Sequence, residues 1–259
     1  MPQRSAKHGF TLTELLIVMM IIGVLVSLLV PTVSRAIRMV RGTMTRWIMD
    51  DIGLGLEAYK ADFGDYPPSE YDVSYPQTGA EKLVFYLRGP RGDGWGAGAA
   101  GHLPEHTAAS RPRTRTYGPY YQADEDGILW EKVVGNTVPV AFVDAFKPPG
   151  RIIYFKAGRN DDGITTYQWD DNGSSGTEVQ QGWSNYPSEE RFYEWTTKKG
   201  TSSVPTDGAY YRHNYLLVSP GQDGRFGAIK RDENGNVSVA TREEVENGEG
   251  SYDDITNWN

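Results

Sequence analysis

Cysteine is absent from this chain of 259 residues, so no disulfide bond can hold any part of the fold together. A domain that is exported without disulfides must be stabilised by its hydrophobic core or by a bound metal ion. Positive charge is also in short supply, with 26 Lys and Arg residues against 34 Asp and Glu residues. Because nucleic-acid binding needs a basic surface, we expect no nucleic-acid partner.

Apolar residues are scarce over most of the chain and concentrated at its N-terminal end. Hydrophobic residues make up 38% of the total and the mean hydropathy is -0.54, which indicates a mainly soluble protein. Aromatic residues (12%), 30 glycines and 15 prolines favour β-structure with many turns.

Residues 15–33 form an apolar run without a charge. As an α-helix this run would be about 28 Å long, close to the thickness of the hydrocarbon core of a bilayer. An ordinary secretory signal has a shorter apolar core, of about 7–15 residues, so an uncleaved membrane anchor is the better alternative. The charges around the run do not settle its orientation, because two basic residues precede it and four arginines follow it: Arg35, Arg38, Arg41 and Arg46.

The junction before this run is the most specific feature of the sequence. A basic segment, residues 1–8, ends at Gly9, Phe10 follows, and a single carboxylate, Glu14, stands at the edge of the apolar run. This combination resembles the leader of type IV prepilins and type II secretion pseudopilins. The resemblance implies cleavage by prepilin peptidase between Gly9 and Phe10 and methylation of the new amine.

Glu14 would be costly at the edge of a membrane span unless it were paired. In the families that the junction resembles, the equivalent acid compensates the new N-terminal amine of a neighbouring subunit during filament assembly. Two opposite charges in a bundle of low dielectric constant neutralise one another. The alternative is a glutamate solvated at the membrane interface.

The helix is expected to continue from about residue 10 to residue 63, with Pro31 as a kink. Gly64 and the prolines that follow it predict the helix end. Apolar residues at helical spacing predict the face that packs on the protein's own β-sheet: Val40, Met44, Trp47, Ile48, Ile52, Leu56, Tyr59 and Phe63.

The predicted fold class is α+β, with a long N-terminal helix packed on a small antiparallel β-sheet head with large loop insertions. The boundaries are a leader at 1–9, a helix at 10–63 with its transmembrane part at 15–33, and a head at 64–259. Insertions are placed near 92–140, 158–210 and 228–250. Residues 81–87 predict a short helix, and 152–155 and 213–218 predict strands.

Three head segments resemble the major pseudopilin of type II secretion. Residues 56–67 resemble the exit of its helix, and residues 143–155 resemble its aspartate–turn–glycine element. Residues 219–227 and the C-terminal stretch resemble its calcium loop, which implies Ca²⁺ ligands from Pro220, Asp223, Asp254 and Thr256. About thirty residues separate the two aspartates, more than in the family, so a turn followed by a solvated acidic tail is the alternative.

Other motifs are weaker. The glycine pattern at 96–101 matches the dinucleotide fingerprint but follows no strand, and it is interpreted as a loop. His102 and His106 are separated by a proline, which argues against a helical metal site, and His213 is interpreted as structural. Acidic stretches at 161–163, 170–173 and 232–235 lack the EF-hand spacing and are interpreted as turns.

The resemblance implies a structural filament subunit of the type II secretion pseudopilin class, without enzymatic activity and anchored once in the inner membrane with its head in the periplasm. Expected partners are other copies of the chain, prepilin peptidase, an inner-membrane assembly platform and minor pseudopilins. The filament would lie in the periplasm or at the cell surface. A type IV pilus major or minor subunit is the neighbouring alternative, and a membrane-anchored carbohydrate-binding or hydrolytic protein of the periplasm is the alternative of another class.

Overall fold

The structure is a computed structural model. It describes residues 11–72, 74–96, 103–104, 115–133, 136–159, 165–172, 192, 214–227, 229–231, 237–239, 242–247 and 254–257. The chain divides into two compact units, Met1–Arg41 and Gly42–Asn259, and each is considered by itself. These units do not test the predicted domain boundaries, which stay predictions.

Helix α1 runs from Leu12 to Phe63 and belongs in part to each unit. It begins at Leu12, where Thr11 provides a capping side chain. It ends before Gly64, which has a φ of +91° and whose N–H bonds to the Lys60 carbonyl at 2.6 Å. Pro31 lies inside the helix, as predicted.

In the second unit, one face of α1 forms the centre of the core. Its fully buried side chains include Met49, Ile52, Leu56 and Tyr59. The backbone on this face is closely approached: a Cβ atom added to Gly53 would lie 2.8 Å from the Tyr215 hydroxyl. The helix therefore needs a small residue at this position to seat on the head.

The predicted core face of α1 is confirmed in its second half and wrong in its first. Ile52, Leu56, Tyr59 and Phe63 are buried and Ile48 is partly buried. Three other members of the predicted face are exposed: Val40, Met44 and Trp47. Met49 fills the inward position that the prediction gave to Trp47, because periodicity fixes the spacing of a stripe more firmly than its angle around the helix.

Helix α2, Gly79–Arg88, confirms the predicted short helix. The Thr78 hydroxyl accepts a hydrogen bond from the Glu81 N–H at 3.3 Å, and the Glu81 carboxylate accepts one from the Gln77 N–H at 2.6 Å. These reciprocal bonds satisfy backbone donors that the first turn of a helix leaves without partners. Leu83, Val84 and Leu87 are buried on the side of α2 that joins the core.

The head is built on a three-stranded antiparallel sheet in the order β11–β8–β5. The predicted strands are confirmed with a shift of one or two residues. The strands of this sheet are β5 (Ile153–Lys156), β8 (Tyr215–Ser219) and β11 (Ile255–Thr256). Tyr154 and Leu217 belong to the core cluster that contains α1, whereas Phe155 and Leu216 belong to a second cluster. The alternation buries both faces of the sheet.

In the described part of the chain, four two-stranded antiparallel sheets accompany the main sheet, and the largest is a hairpin within and beyond the first predicted insertion. Their strands are β1 (Trp95–Gly96) with β2 (Thr116–Tyr117), β3 (Ile128–Val133) with β4 (Asn136–Phe142), β6 (Gly158–Arg159) with β7 (Thr165–Thr166), and β9 (Ile229–Arg231) with β10 (Val237–Val239). A short helix, α3, spans Arg242–Glu246, and short 3-10 helices span Glu125–Gly127 and Trp169–Asn172. The long α-helix followed by small antiparallel sheets confirms the predicted α+β class.

The 3-10 helix at Trp169–Asn172 is fixed by buried polar side chains. The side-chain oxygen of Asn172 accepts a hydrogen bond from the Ala80 N–H at 2.9 Å. The side-chain NH₂ of Asn172 donates a hydrogen bond to the backbone carbonyl of Tyr154 at 2.9 Å. Ser69 donates to the Asp171 carboxyl and accepts a bond from the Lys156 N–H at 2.8 Å. The acidic stretch at 170–173 was predicted to be a turn, and within it Asp171 and Asn172 join α2, β5 and the segment before α2.

Burial raises the pKa of the Asp171 carboxyl from its ordinary value of 3.8 to about 7. The hydrogen bond from Ser69 and the charge of Lys82 act in the opposite direction, and the charges of Asp170 and Glu70 add to the rise. The native state therefore keeps a proton on Asp171 at pH values where the unfolded chain has released it.

We predict that Leu56→Ala lowers the free energy of unfolding by about 2–5 kcal/mol, since it leaves a cavity among fully buried neighbours. Leu54→Ala is the matched control, because Leu54 is 70% exposed and its loss should change stability by less than about 0.5 kcal/mol. Denaturation of the full chain in detergent measures both. Equal effects of the two substitutions would contradict the placement of this helix face.

We also predict that Asp171→Asn flattens the pH dependence of stability. Because the folded pKa is raised, the contribution of Asp171 is present at low pH and falls as pH rises from about 4 to 7, by up to about 1.4 kcal/mol per pH unit. Asp170→Asn is the control, because Asp170 is exposed and its replacement should leave the pH dependence unchanged. An unchanged slope in Asp171→Asn would show that this carboxyl is not buried as described.

Candidate assembly and metal sites

The start of α1 is a capping box formed by Thr11 and Glu14. The Glu14 N–H donates to Thr11 Oγ1 at 3.3 Å, and Glu14 Oε2 accepts bonds from the Thr11 N–H at 2.9 Å and from Thr11 Oγ1 at 2.7 Å. The two residues thereby satisfy donors at the first helical turn. Gly9 and Phe10 lie outside the described residues, so the structure gives no geometry for the predicted cleavage site.

Hydroxyl groups in and just after the apolar segment bond to carbonyls of the same helix. Ser27 donates to the Val24 carbonyl at 2.7 Å, Thr32 to the Leu28 carbonyl at 3.0 Å, and Ser34 to the Val30 carbonyl at 3.0 Å. Pro31 has no N–H, which leaves the helical carbonyl of the preceding turn without its usual donor. Internal satisfaction of hydroxyl groups is what a hydrocarbon environment requires.

Among the described residues, α1 is the one helix that is long and apolar enough to cross a membrane. No side chain of its most apolar window is buried against the protein, and its leucines, isoleucines and valines are about half exposed or more. Such a surface is unfavourable in water, where each apolar Å² costs about 25 cal/mol. The arrangement is that of an N-terminal membrane anchor.

The aspartate–turn–glycine element forms a closed loop around Asp144. Asp144 Oδ1 accepts bonds from the Phe146 N–H at 3.0 Å and from the Gly150 N–H at 2.9 Å, and Oδ2 accepts one from the Ser219 hydroxyl at 2.6 Å. Burial raises the pKa of the Asp144 carboxyl, and these three donors act in the opposite direction.

Gly150 is needed where this loop meets the end of β8. A Cβ atom at Gly150 would lie 2.4 Å from Pro220 Cγ and 2.7 Å from Asp144 Oδ2. The sequence indicated the Asp144 turn by resemblance, but it carried no signal for the bond to Ser219. That bond fastens the turn to the last residue of β8, directly before the loop that holds predicted calcium ligands.

The structure brings the two parts of the predicted calcium site together. Asp254 lies just before β11, and β11 pairs with the end of β8, from which the loop with Pro220 and Asp223 departs. Asp254 Oδ2 accepts a bond from the Gly227 N–H at 2.8 Å, so the C-terminal segment closes onto the glycine-rich loop. The long insertion between the aspartates does not separate them from the same end of the sheet.

The oxygen atoms at this end suit a calcium ion in type. Asp254 and Thr256 are buried and Asp223 is partly buried, with Asp223 Oδ1 accepting the Arg225 N–H at 2.8 Å. The Thr256 hydroxyl is buried without a hydrogen-bond partner. Within the described part of the chain no group of three or more His, Cys, Asp or Glu side chains is arranged to hold a metal, so carbonyl, hydroxyl or water oxygens would have to complete a coordination shell around two carboxylates.

Comparisons with known proteins agree with this arrangement. Residues 4–30 match the prokaryotic N-terminal methylation motif. The chain is 34% identical over 82 residues to the type II secretion system core protein G of Pseudomonas aeruginosa, an alignment that covers 32% of this chain and 53% of that protein. The chain thus spans about half the length of this curated relative. No solved structure matches significantly.

The methylation motif covers the junction at Gly9, Phe10 and Glu14 and most of the apolar segment, and the relative is itself a core protein of type II secretion. The long apolar helix and the small antiparallel sheets are the architecture that the resemblance implies. The N-terminal part of the chain is thus similar to proteins that carry the prepilin-type methylation motif and to a core protein of type II secretion.

Proposed function

We propose that this chain is a structural subunit of a type II secretion pseudopilus. It enters the inner membrane through the apolar part of α1, with the head in the periplasm. Prepilin peptidase cuts it between Gly9 and Phe10, and the product assembles with other copies into a helical filament. The single observation that carries the proposal is the Thr11–Glu14 cap beside an apolar segment that matches the methylation motif.

The position of Glu14 gives this proposal its mechanism. Cleavage after Gly9 creates an amine on Phe10, four residues before Glu14. In a filament, the amine of one subunit pairs with the Glu14 carboxylate of the next, which lowers the cost of both charges in an apolar helix bundle. Before assembly, Thr11 supplies the hydrogen bonds that hold the carboxylate at the helix start, where the helix dipole also favours a negative charge.

The remaining partners follow from this role. A subunit that is extracted from the membrane into a filament needs an assembly platform in the inner membrane, and minor pseudopilins are expected at the filament tip. The proposed subunit carries no enzymatic activity. Its buried carboxyl groups take part in structural contacts inside the head: Asp144 binds Ser219 and backbone N–H groups, and Asp171 binds Ser69.

Two other functions remain to be distinguished by experiment. A type IV pilus subunit would share the junction and the helix, whereas the similarity to core protein G favours the pseudopilus. A membrane-anchored carbohydrate-binding or hydrolytic protein would keep residues 1–9. Mass spectrometry of the mature chain separates these classes, because a methylated Phe10 at the N-terminus supports a pilin-type subunit and an intact residue 1 supports an anchor.

We further propose that the end of the main sheet binds Ca²⁺ through Pro220, Asp223, Asp254 and Thr256. The proposal is supported by the closure of Asp254 onto the loop through Gly227 and by the buried Thr256 hydroxyl without a hydrogen-bond partner. Ca²⁺ prefers carboxylate, carbonyl and hydroxyl oxygens on a flexible backbone. In a chain without cysteine, such an ion would fasten the C-terminal segment to β8.

We predict that Glu14→Gln reduces filaments by more than about tenfold, since it keeps a hydrogen-bond acceptor for Thr11 and removes the charge that the Phe10 amine requires. Filaments sheared from cells and quantified against total subunit measure the effect. Glu70→Gln, an exposed head position, is the control and should assemble normally. Normal assembly of Glu14→Gln would remove the electrostatic basis of the proposed function.

We predict that Ca²⁺, but not an equal concentration of Mg²⁺, raises the melting midpoint of the full chain in detergent. At a free calcium concentration 100-fold above Kd, the gain is about 2.7 kcal/mol. Asp254→Ala and Thr256→Val should lose the calcium-dependent shift, whereas Asp126→Ala, at an exposed carboxylate, should keep it. A midpoint that does not respond to Ca²⁺ would remove the metal from the proposal.

A further inference from the structure

The outer face of α1 in the second unit has a composition that the folded head does not explain. Trp47 is 65% exposed and Leu54 is 70% exposed, although the opposite side of the same helix is fully buried. Arg46, Asp50 and Asp51 are also exposed, and their spacing places them on the same side of the helix as the two apolar residues. We call these five residues the outer face.

Among the described residues, no salt bridge includes the charges of the outer face. The salt bridges there join Arg151 to Glu131 and Lys156 to Asp65. An arginine placed four residues before an aspartate is the less favourable order for pairing along one helix. The order of Arg46 and Asp50 therefore favours a pair with a neighbouring molecule over a pair within the helix.

We propose that the outer face is a contact surface for a second copy of this chain, in which Arg46 of one copy pairs with Asp50 of the next. This inference rests on the proposed function, because it takes the parallel helical filament as its starting point. Helical symmetry relates all equivalent atoms of neighbouring subunits by one axial displacement. A contact made near the N-terminus therefore fixes the displacement along the whole helix.

The spacing of the residues meets this condition. Pairing of the Phe10 amine with Glu14 of a neighbour displaces the copies by about four residues, or about 6 Å along a helix. Arg46 and Asp50 are also four residues apart and in the same order, with the basic group first. The axial displacement that places the Phe10 amine beside Glu14 of the next copy therefore also places Arg46 level with Asp50 of that copy.

The apolar residues of the outer face fit the same displacement. Trp47 of one copy then lies at the level of Asp51 of the next, between the neighbour's Trp47 and Leu54. Burial of two side chains that are mostly exposed in the single subunit adds an apolar contribution to the contact. The ion pair at its edge favours this register over an unshifted one, since like charges would meet if the two copies lay at the same level.

The absence of cysteine allows a direct test by disulfide cross-linking. Two differently tagged copies are expressed together, one carrying Arg46→Cys and the other Asp50→Cys, and filaments are oxidised before analysis. We expect a disulfide-linked dimer that contains both tags, because the two Cα atoms must approach within about 7 Å. Arg46→Cys with Ala61→Cys is the control and should give no dimer, since these exposed positions are about 16 Å further apart in the proposed register.

Charge reversal tests the ion pair itself. Arg46→Asp and Asp50→Arg should each reduce filament yield by about tenfold, and the double variant should restore it. Because both residues are exposed, the melting midpoint of each variant should match that of the parent.

The outcomes separate the two proposals. If parent filaments form and depend on Glu14, but neither the cross-link nor the rescue is seen, the outer-face contact is overturned and the proposed function stands. If the parent chain forms no filaments, the proposed function fails, and this inference fails with it. A cross-link from Arg46→Cys to a different protein would overturn the second copy as the occupant.

Discussion

A carboxylate at the edge of an uncharged apolar helix is the constraint on which the rest of the molecule depends. Glu14 can be tolerated there because Thr11 donates two hydrogen bonds to it, at 2.9 Å and 2.7 Å. These bonds satisfy the carboxylate without neutralising it. In the proposed filament, a positive charge from a neighbouring subunit would complete the compensation, so the same residue that is costly in one copy would favour association of many.

The head solves a different problem, which is to hold a three-stranded sheet together without disulfides. Two carboxylates close its loops: Asp144 joins the turn before β5 to Ser219, and Asp254 joins the C-terminal segment to Gly227. The first bond reaches the last residue of β8, and the second reaches the loop that follows it. The head is thus fastened at one end of the sheet by polar contacts, while the buried face of α1 supplies the apolar core along its length.

The sequence predicted the helix, its end at Gly64, α2 and the central strands, because each is set by local signals such as apolar runs, caps and glycines. It assigned Trp47 to the core by periodicity, although Met49 is the buried residue and Trp47 is exposed. Asp171 was interpreted as part of a turn, since nothing near it indicates that Ser69 lies against it in the fold. Contacts between residues about a hundred positions apart have no local signal to reveal them.

The candidate calcium site was predicted by resemblance alone, and the strand pairing adds what the sequence did not contain. The two aspartates were predicted as partners despite the insertion between them, and the pairing of β11 with β8 explains how they reach the same end of the sheet. The outer face of α1 was not predicted, because its significance depends on which side of the helix is already buried. The sequence thus specified residue types, and the fold specified which of them are buried and which are exposed.

The most direct test is the structure of the assembled filament at a resolution that shows side chains. The account predicts that the amine of Phe10, freed by cleavage after Gly9, lies within about 4 Å of the Glu14 carboxylate of an adjacent subunit. A filament in which Phe10 and Glu14 of neighbouring subunits are far apart, or in which residues 1–9 remain attached, would contradict it.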